Sequence, residues 1–166
     1  MLALAAAKLP GVRLVESDMT RFSLGARFDV VLCVYDSINH LLEFAQWEAL
    51  FDRAREHLND GGIFVFDINT EERLARLAAH PAVANWFEGG NLLVMDVRDE
   101  GDGLVTWSHS IFEHDDGSRY CLHTEEIREI SFSRDRIEAS LRGRFGAVSV
   151  EGADRLYFVA ERTLSA

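Results

Sequence analysis

The sequence is poor in residues that staple, interrupt or anchor a chain. It has two cysteines in 166 residues, Cys33 and Cys121, far apart and without CxxC spacing. That excludes a disulfide framework and a cysteine-built zinc site, and makes a reduced, cytoplasmic setting the expectation. Its two prolines and 12 glycines are scattered and mark no linker. Basic residues are outnumbered, with 17 Lys and Arg against 28 Asp and Glu, for a net charge of −11. This balance argues against a nucleic-acid backbone or an anionic membrane as a partner. The longest apolar run, Val30 to Tyr35, falls far short of the roughly 20 residues that cross a bilayer. The opening MLALAAAKLP has no basic stretch before its apolar residues and Lys8 directly after them, so it does not read as a signal peptide. No GxGxxG, Walker loop or HExxH motif is present.

What is present has the make-up of one folded domain, 48% apolar and 27% charged. A chain of this length buries roughly 70% of its unfolded surface without a staple. Residues 1–80 alternate helix and strand. MLALAAAK reads as the tail of a helix stopped at Pro10-Gly11, and Val12 to Asp18 as a short strand ending in a carboxylate. Val30 to Val34 is a continuous apolar run, the mark of a strand buried on both faces in a parallel sheet. Trp47, Leu50, Phe51, Ala54 and Leu58 fall at helical spacing, with a glycine C-cap expected in Asn59 to Gly62. Ile63 to Asp67 is a second buried strand, and Asn69 or Thr70 caps the helix after it. Residues 81–132 read as antiparallel strands at about Leu92–Arg98, Leu104–Glu113 and Arg119–Phe132, with turns at Asp99–Gly103 and His114–Ser118. Residues 133–166 supply a helix with Ile137 and Leu141 inward and two closing strands, so the β part elaborates the same domain.

In α/β sheets, ligands bind beyond the carboxyl ends of the strands. Those ends carry Asp18 and Met19, then Tyr35 to His40, then Asp67 to Thr70. Asp18 suits an exocyclic amine or a ribose, or else caps a local turn. The loop YDSINHL gathers Asp36, Ser37, Asn39 and His40 between apolar elements. A histidine ring ordinarily titrates near pH 6.5, so His40 is a candidate base; the alternative is that Ser37 or Asn39 caps the next helix and His40 packs under it. FDINT approaches the DxDxT nucleophile loop of haloacid-dehalogenase-type phosphatases, but Asn69 and Thr70 break its spacing. Cys33 and His40 suggest a thiol nucleophile, against which Cys33 lies within an apolar run. His109, His123 and Glu125 share strand parity: the trio is a possible zinc set, a polar pocket lining, or a solvated face. No metal site is expected.

The order of ML-x-x-A-x-x-x-LPGVRLVESDM, FDVVLCVYDSINHLL and LFDRAREHLNDGGIFVFDIN resembles a class I S-adenosylmethionine-dependent methyltransferase. Within that superfamily it is similar to small-molecule enzymes of the aminosugar N-methyltransferase type. The match runs from Met1 to Asn69, with SHSIFE and TEEIREISFSRDRIEASL agreeing in layout. The resemblance implies a Rossmann-like fold with an antiparallel β insert in the C-terminal half, and S-adenosylmethionine as cofactor. It places Asp18 at the adenine amino group, Met19 beside the ring, and Cys33, Val34 and Tyr35 near the methionine moiety. It makes His40 the catalytic residue, and Asp36, Asn39, Trp107, His109, His123 and Glu125 the lining for a small-molecule acceptor. The family's first βαβ unit, with its D-x-G-x-G loop, has no counterpart in the sequence, which implies a truncated gene or an internal methionine at position 1. Two outcomes are then expected: the strands at Val12 and Val30 pair directly, or a homodimer closes the gap. The alternative to an enzyme is an inactive remnant acting as a binding or oligomerisation module.

Overall fold

Twelve consecutive residues, Leu58–Asn69, form the strand on which the sheets are organised. The structure, a computed structural model, describes residues 2–163. After helix α1 (Leu2–Lys8) come β1 (Phe28–Cys33), a single 3₁₀ turn (Ser37–His40), α2 (Phe44–Glu56), β2 (Leu58–Asn69) and α3 (Glu71–Ala78). Then follow β3 (Val83–Phe87), β4 (Asn91–Gly101), β5 (Leu104–His114), β6 (Tyr120–Ile130), α4 (Arg134–Arg142), β7 (Ala147–Gly152) and β8 (Arg155–Glu161). The strands make two four-stranded sheets, ordered β1-β2-β8-β7 and β3-β4-β5-β6. Only β1 and β2 pair in parallel; the return of the chain at β8 makes the first sheet mixed.

Period-two alternation decides which face of that sheet is covered. Phe64, Phe66 and Ile68 of β2 and Leu156, Phe158 and Ala160 of β8 point to one side and are buried. There they meet Trp47, Leu50, Phe51 and Ala54 of α2, and Ile137 and Leu141 of α4. The rings of Phe66 and Phe158 stack at 4.7 Å and 3°. A smaller core joins α3 to the second sheet through Leu74, Val97 and Val105.

Four expectations need correction. The run Val30 to Val34 is not buried on both faces, because α2 and α4 cover only the Val31 and Cys33 side; Val30 is 49% and Leu32 62% exposed. Val12 to Asp18 forms no ladder and does not pair with β1. Parallel neighbours need a crossover of a dozen or so residues, and the link over 19–27 is too short to supply one. The glycine pair does not cap α2, which ends at Glu56 with His57 as its C-cap. Gly61, at φ 76°, instead lies in a bulge where the register passes from Phe28–Leu58 to Val30–Ile63. Finally, β3 was not expected; its five residues are all exposed on an edge, where apolar alternation gives no signal.

The covered and bare faces should differ in their sensitivity to truncation. In denaturant unfolding, Phe66→Ala is expected to cost about 3–5 kcal/mol, and Leu32→Ala less than about 0.5 kcal/mol. Equal losses would mean that the Leu32 face is covered in solution.

Candidate active site

β1 and β2 end side by side, and the chain turns sharply as it leaves β1. Tyr35 and Asp36 both adopt left-handed conformations, φ 60° and 50°. Such conformations cost a residue other than glycine roughly 1–3 kcal/mol each and persist only where the surroundings over-determine them. Asp36 is held from three directions. Its N–H donates to Asp67 Oδ2 at 3.1 Å, and its Oδ2 accepts from Asn69 Nδ2 at 2.6 Å and Arg155 Nη2 at 2.7 Å. Arg155 stands opposite Asn69 at the last rung of the β2–β8 ladder, and its Nη1 reaches Asp67 Oδ2 at 2.9 Å. One guanidinium therefore serves both carboxylates, of which Asp67 is buried.

The 3₁₀ turn that Asp36 introduces carries Asn39 and His40 against the unpaired edge of β6. Asn39 is fully buried. Its Oδ1 accepts the Asn69 N–H at 3.1 Å, and its Nδ2 donates to the carbonyls of Asn69 at 3.1 Å and Ile130 at 2.8 Å. Its donors are thus both engaged by backbone, so Asn39 builds the site rather than touching an acceptor. Two residues along the same edge, the Arg128 carbonyl lies 3.4 Å from His40 Nδ1. A carbonyl only accepts, so this long bond places the ring proton on Nδ1 and leaves Nε2 of the neutral ring as an exposed lone pair.

Glu129 is buried between these elements, with Oε2 accepting from Asn69 Nδ2 at 3.1 Å. Burial pushes its carboxyl above the ordinary value; the Asn69 bond opposes this, the charge of Asp36 adds to it, and His40 opposes it. The register puts Glu129 on one face of the second sheet with Val105 opposite, followed outward by the rungs Trp107–Ile127, His109–Glu125 and Ile111–His123. The expected acceptor residues therefore share the face that begins at Glu129. Trp107 and His109 stack at 6.3 Å, and the buried Trp107 indole N–H approaches the Glu129 carboxyl, where it too opposes the upward shift, without reaching good hydrogen-bond geometry. His123 lies further out and exposed, its Nε2–H donating to Glu113 Oε2 at 2.9 Å rather than meeting His109 or Glu125. Among the described residues no group of three or more His, Cys, Asp or Glu is arranged to hold a metal ion.

On the other side of the turn, Met19, Cys33 and Val34 come together. With Phe22, Val31, Leu32, Ser37, Leu50 and Phe64 they line an apolar cleft of about 350 Å³. A second hollow of about 320 Å³ shares Met19 and Phe22 and adds Arg13 and Val15. His57 pins this wall: its Nε2 accepts the Leu24 N–H at 2.9 Å, and its ring lies 4.6 Å from Phe22. Burial, reinforced by the Asp67 charge, pushes the Cys33 thiol up to about 12, which removes it as a nucleophile. Asp18 lies outside the cleft lining, with Oδ1 accepting the Thr20 hydroxyl and N–H, both at 2.7 Å. Those two bonds hold its carboxyl below the ordinary value. Tyr35 is 80% exposed at the rim.

A cleft for an apolar ring system, a histidine with a free nitrogen, and a facing sheet of aromatic and polar side chains meet at the ends of two parallel strands. No protein-family model matches the chain. Among solved structures, the fold is similar to that of S-adenosylmethionine-bound CalS10, an amino pentose methyltransferase from Micromonospora echinaspora. The TM-score is 0.78 with 26% identity, over 98% of this chain and 70% of that one. A Geobacillus sp. (strain WCH70) protein named as a methyltransferase is 31% identical over 190 aligned residues, 98% of this chain and 72% of that protein. The chain belongs to the S-adenosylmethionine-dependent methyltransferases. A stretch of 67 residues is 39% identical to a dTDP-3-amino-3,6-dideoxy-alpha-D-glucopyranose N,N-dimethyltransferase from Streptomyces fradiae, covering 40% of this chain and 26% of that enzyme. That match spans about a quarter of the relative's length. The methyltransferase fold here is mixed α/β and Rossmann-like, and no described helix is long and apolar enough to cross a membrane.

Asn69, Glu129 and Arg155 join the two halves of this methyltransferase site. The sequence put Asn69 in the strand-end stretch Asp67 to Thr70 with no role beyond a possible helix cap, and it missed Glu129 and Arg155, which carry no local signal. The raised carboxyl of Glu129 gives a pH test. The folded protein holds this proton more tightly than the unfolded chain, so Glu129 detracts from stability as pH rises above the ordinary glutamate range. Glu129→Gln removes that penalty. Relative to wild type, the variant should gain stability as pH rises above the ordinary glutamate value of about 4.3, measured by urea unfolding at a series of pH values. A constant difference would show that Glu129 does not titrate abnormally.

Proposed function

We propose that this chain serves methyl transfer from S-adenosylmethionine to a nitrogen of a small-molecule acceptor of the amino-sugar class. The juxtaposition of the Met19–Val34 cleft with the His40 turn and the Trp107 face carries the reading. The amino sugars in the names of two relatives suggest the acceptor. The cleft fits the cofactor by its chemistry: Met19 and Phe22 offer soft, flat surfaces to a purine, and the exposed Asp18 carboxylate lies in the chain between the lining residues Ser17 and Met19. Bound there, the cofactor supplies an electrophilic methyl group on a sulfonium.

The chain's own residues do the remaining work. Cys33 and Val34 wall the cleft, and the turn at Tyr35 and Asp36 closes its end. His40 Nε2 takes a proton from the acceptor amine, freeing the lone pair that attacks. Trp107, His109, Glu125 and His123 line the acceptor side, with the sheet β3–β6 as the family's covering insert. The three segments 1–80, 81–132 and 133–166 act as one domain. The free edge of β1, with Val30 and Leu32 exposed beside it, is where a further strand or a second copy pairs. The net charge of −11 fits a cytoplasmic enzyme of small molecules rather than of nucleic acid.

Titration calorimetry with S-adenosylhomocysteine is expected to give micromolar binding that Val34→Asp abolishes and Asp18→Ala weakens. In transfer assays with a dTDP-amino sugar, His40→Gln should lower kcat on the order of a hundredfold, as loss of a general base does. No heat at millimolar ligand contradicts the cofactor site, and an unchanged kcat contradicts the role of His40.

A further inference from the structure

We infer that Arg155, on the final strand of the chain, is the positioning residue for His40. The inference rests on the proposed function only in taking His40 as the base. His40 is exposed and has one anchor, the 3.4 Å contact of Nδ1 with the Arg128 carbonyl, so its orientation depends on the turn that presents it. That turn is strained at Tyr35 and Asp36; Ser37 Oγ donates to the Val34 carbonyl at 2.7 Å and the Asn39 N–H to the Asp36 carbonyl at 2.8 Å, but the Asp36 side chain makes no capping bond. Its carboxylate is fixed instead from distant elements. Asp67 Oδ2 accepts the Asp36 N–H, while Asp36 Oδ2 faces Asn69 and Arg155.

Two carboxylates that share one hydrogen-bonded corner repel unless a cation stands between them. Arg155 is that cation, bonding Asp36 at 2.7 Å and Asp67 at 2.9 Å with different nitrogens. A planar fork can do both at once, whereas a lysine ammonium is a single point. Glu129 adds a third acidic group to the same corner through Asn69, so Arg155 is outnumbered. Its removal would drive Asp36 from Asp67, and the turn would relax toward ordinary φ values. Asn39 and His40 follow within four residues, so the Arg128 contact is the part that gives way.

The test reads the His40 ring directly, by ¹⁵N nuclear magnetic resonance at alkaline pH, where histidine rings are ordinarily neutral. Wild type is expected to show the proton on Nδ1. Arg155→Met should lose that signature and show the averaged tautomers of a freely rotating ring, with Arg155→Lys keeping it in part. Asp36→Asn, which leaves Arg155 in place and removes one arm of the clamp, should also lose it, and serves if Arg155→Met does not fold. A merely structural role would lower the melting temperature of the folded variants and leave the ring signature intact, which overturns the inference. So does a wild type without the Nδ1 proton. In transfer assays, Arg155→Met should lose 10- to 100-fold in kcat, the order expected for a misplaced group. A wild type without transfer activity would count against the proposed function alone, since the ring signature decides the role of Arg155 without substrate.

Discussion

The side-chain amide of Asn39 behaves as one extra residue of β-sheet. It exchanges both backbone hydrogen bonds with Asn69 at the end of β2 and takes up the Ile130 carbonyl on the bare edge of β6. The two sheets share no ladder, so this amide and the Asn69–Glu129 bond form the polar seam between them, while α3, which follows β2, packs on the second sheet through Leu74, Val97 and Val105. Each group the Asn39 amide engages is a backbone donor or acceptor that would otherwise be buried without a partner, at about 1–3 kcal/mol apiece. The cleft under β1 and the face above it meet where they do because Asn39 fixes the distance.

Around that seam the structure concentrates cost. Two residues sit in left-handed conformations, two carboxylates share one guanidinium, and Glu129 is buried beside them at the price of a perturbed titration. A fold optimised for stability alone would fill such a corner with apolar side chains. Retention of charge and strain at the carboxyl ends of the strands agrees with a site where an amine must be held, stripped of a proton and kept from water. The core supplies the rigidity that this requires, through the stacked phenylalanines of β2 and β8 under α2 and α4.

Much of this was legible in the residues. Apolar periodicity located α2, β2, α4 and the hairpins, because spacing of 3.6 and 2 is a local property. Strand ends singled out Met19, Asp36 and His40, and parity put His109, His123 and Glu125 on one face, with Trp107 added by the resemblance. What spacing could not convey was pairing and coverage. The apolar run at Val30 looks the same whether one face or two are packed, and Val12 to Asp18 looks like a strand with or without a neighbour. Arg155 lies more than a hundred positions from Asp36, and no periodicity links them. Asn39 resembled a binding residue because an amide in a polar loop gives no hint that backbone takes all its donors.

The central claim is that the cleft between Met19 and Val34 opens onto the His40 turn and the Glu129 end of the second sheet. A crystal structure with S-adenosylhomocysteine tests it most directly. The account predicts density for the ligand against Met19, Phe22 and Val34, ending at the turn of Tyr35 and Asp36. Density elsewhere, with that cleft filled by the protein's own side chains, would contradict it.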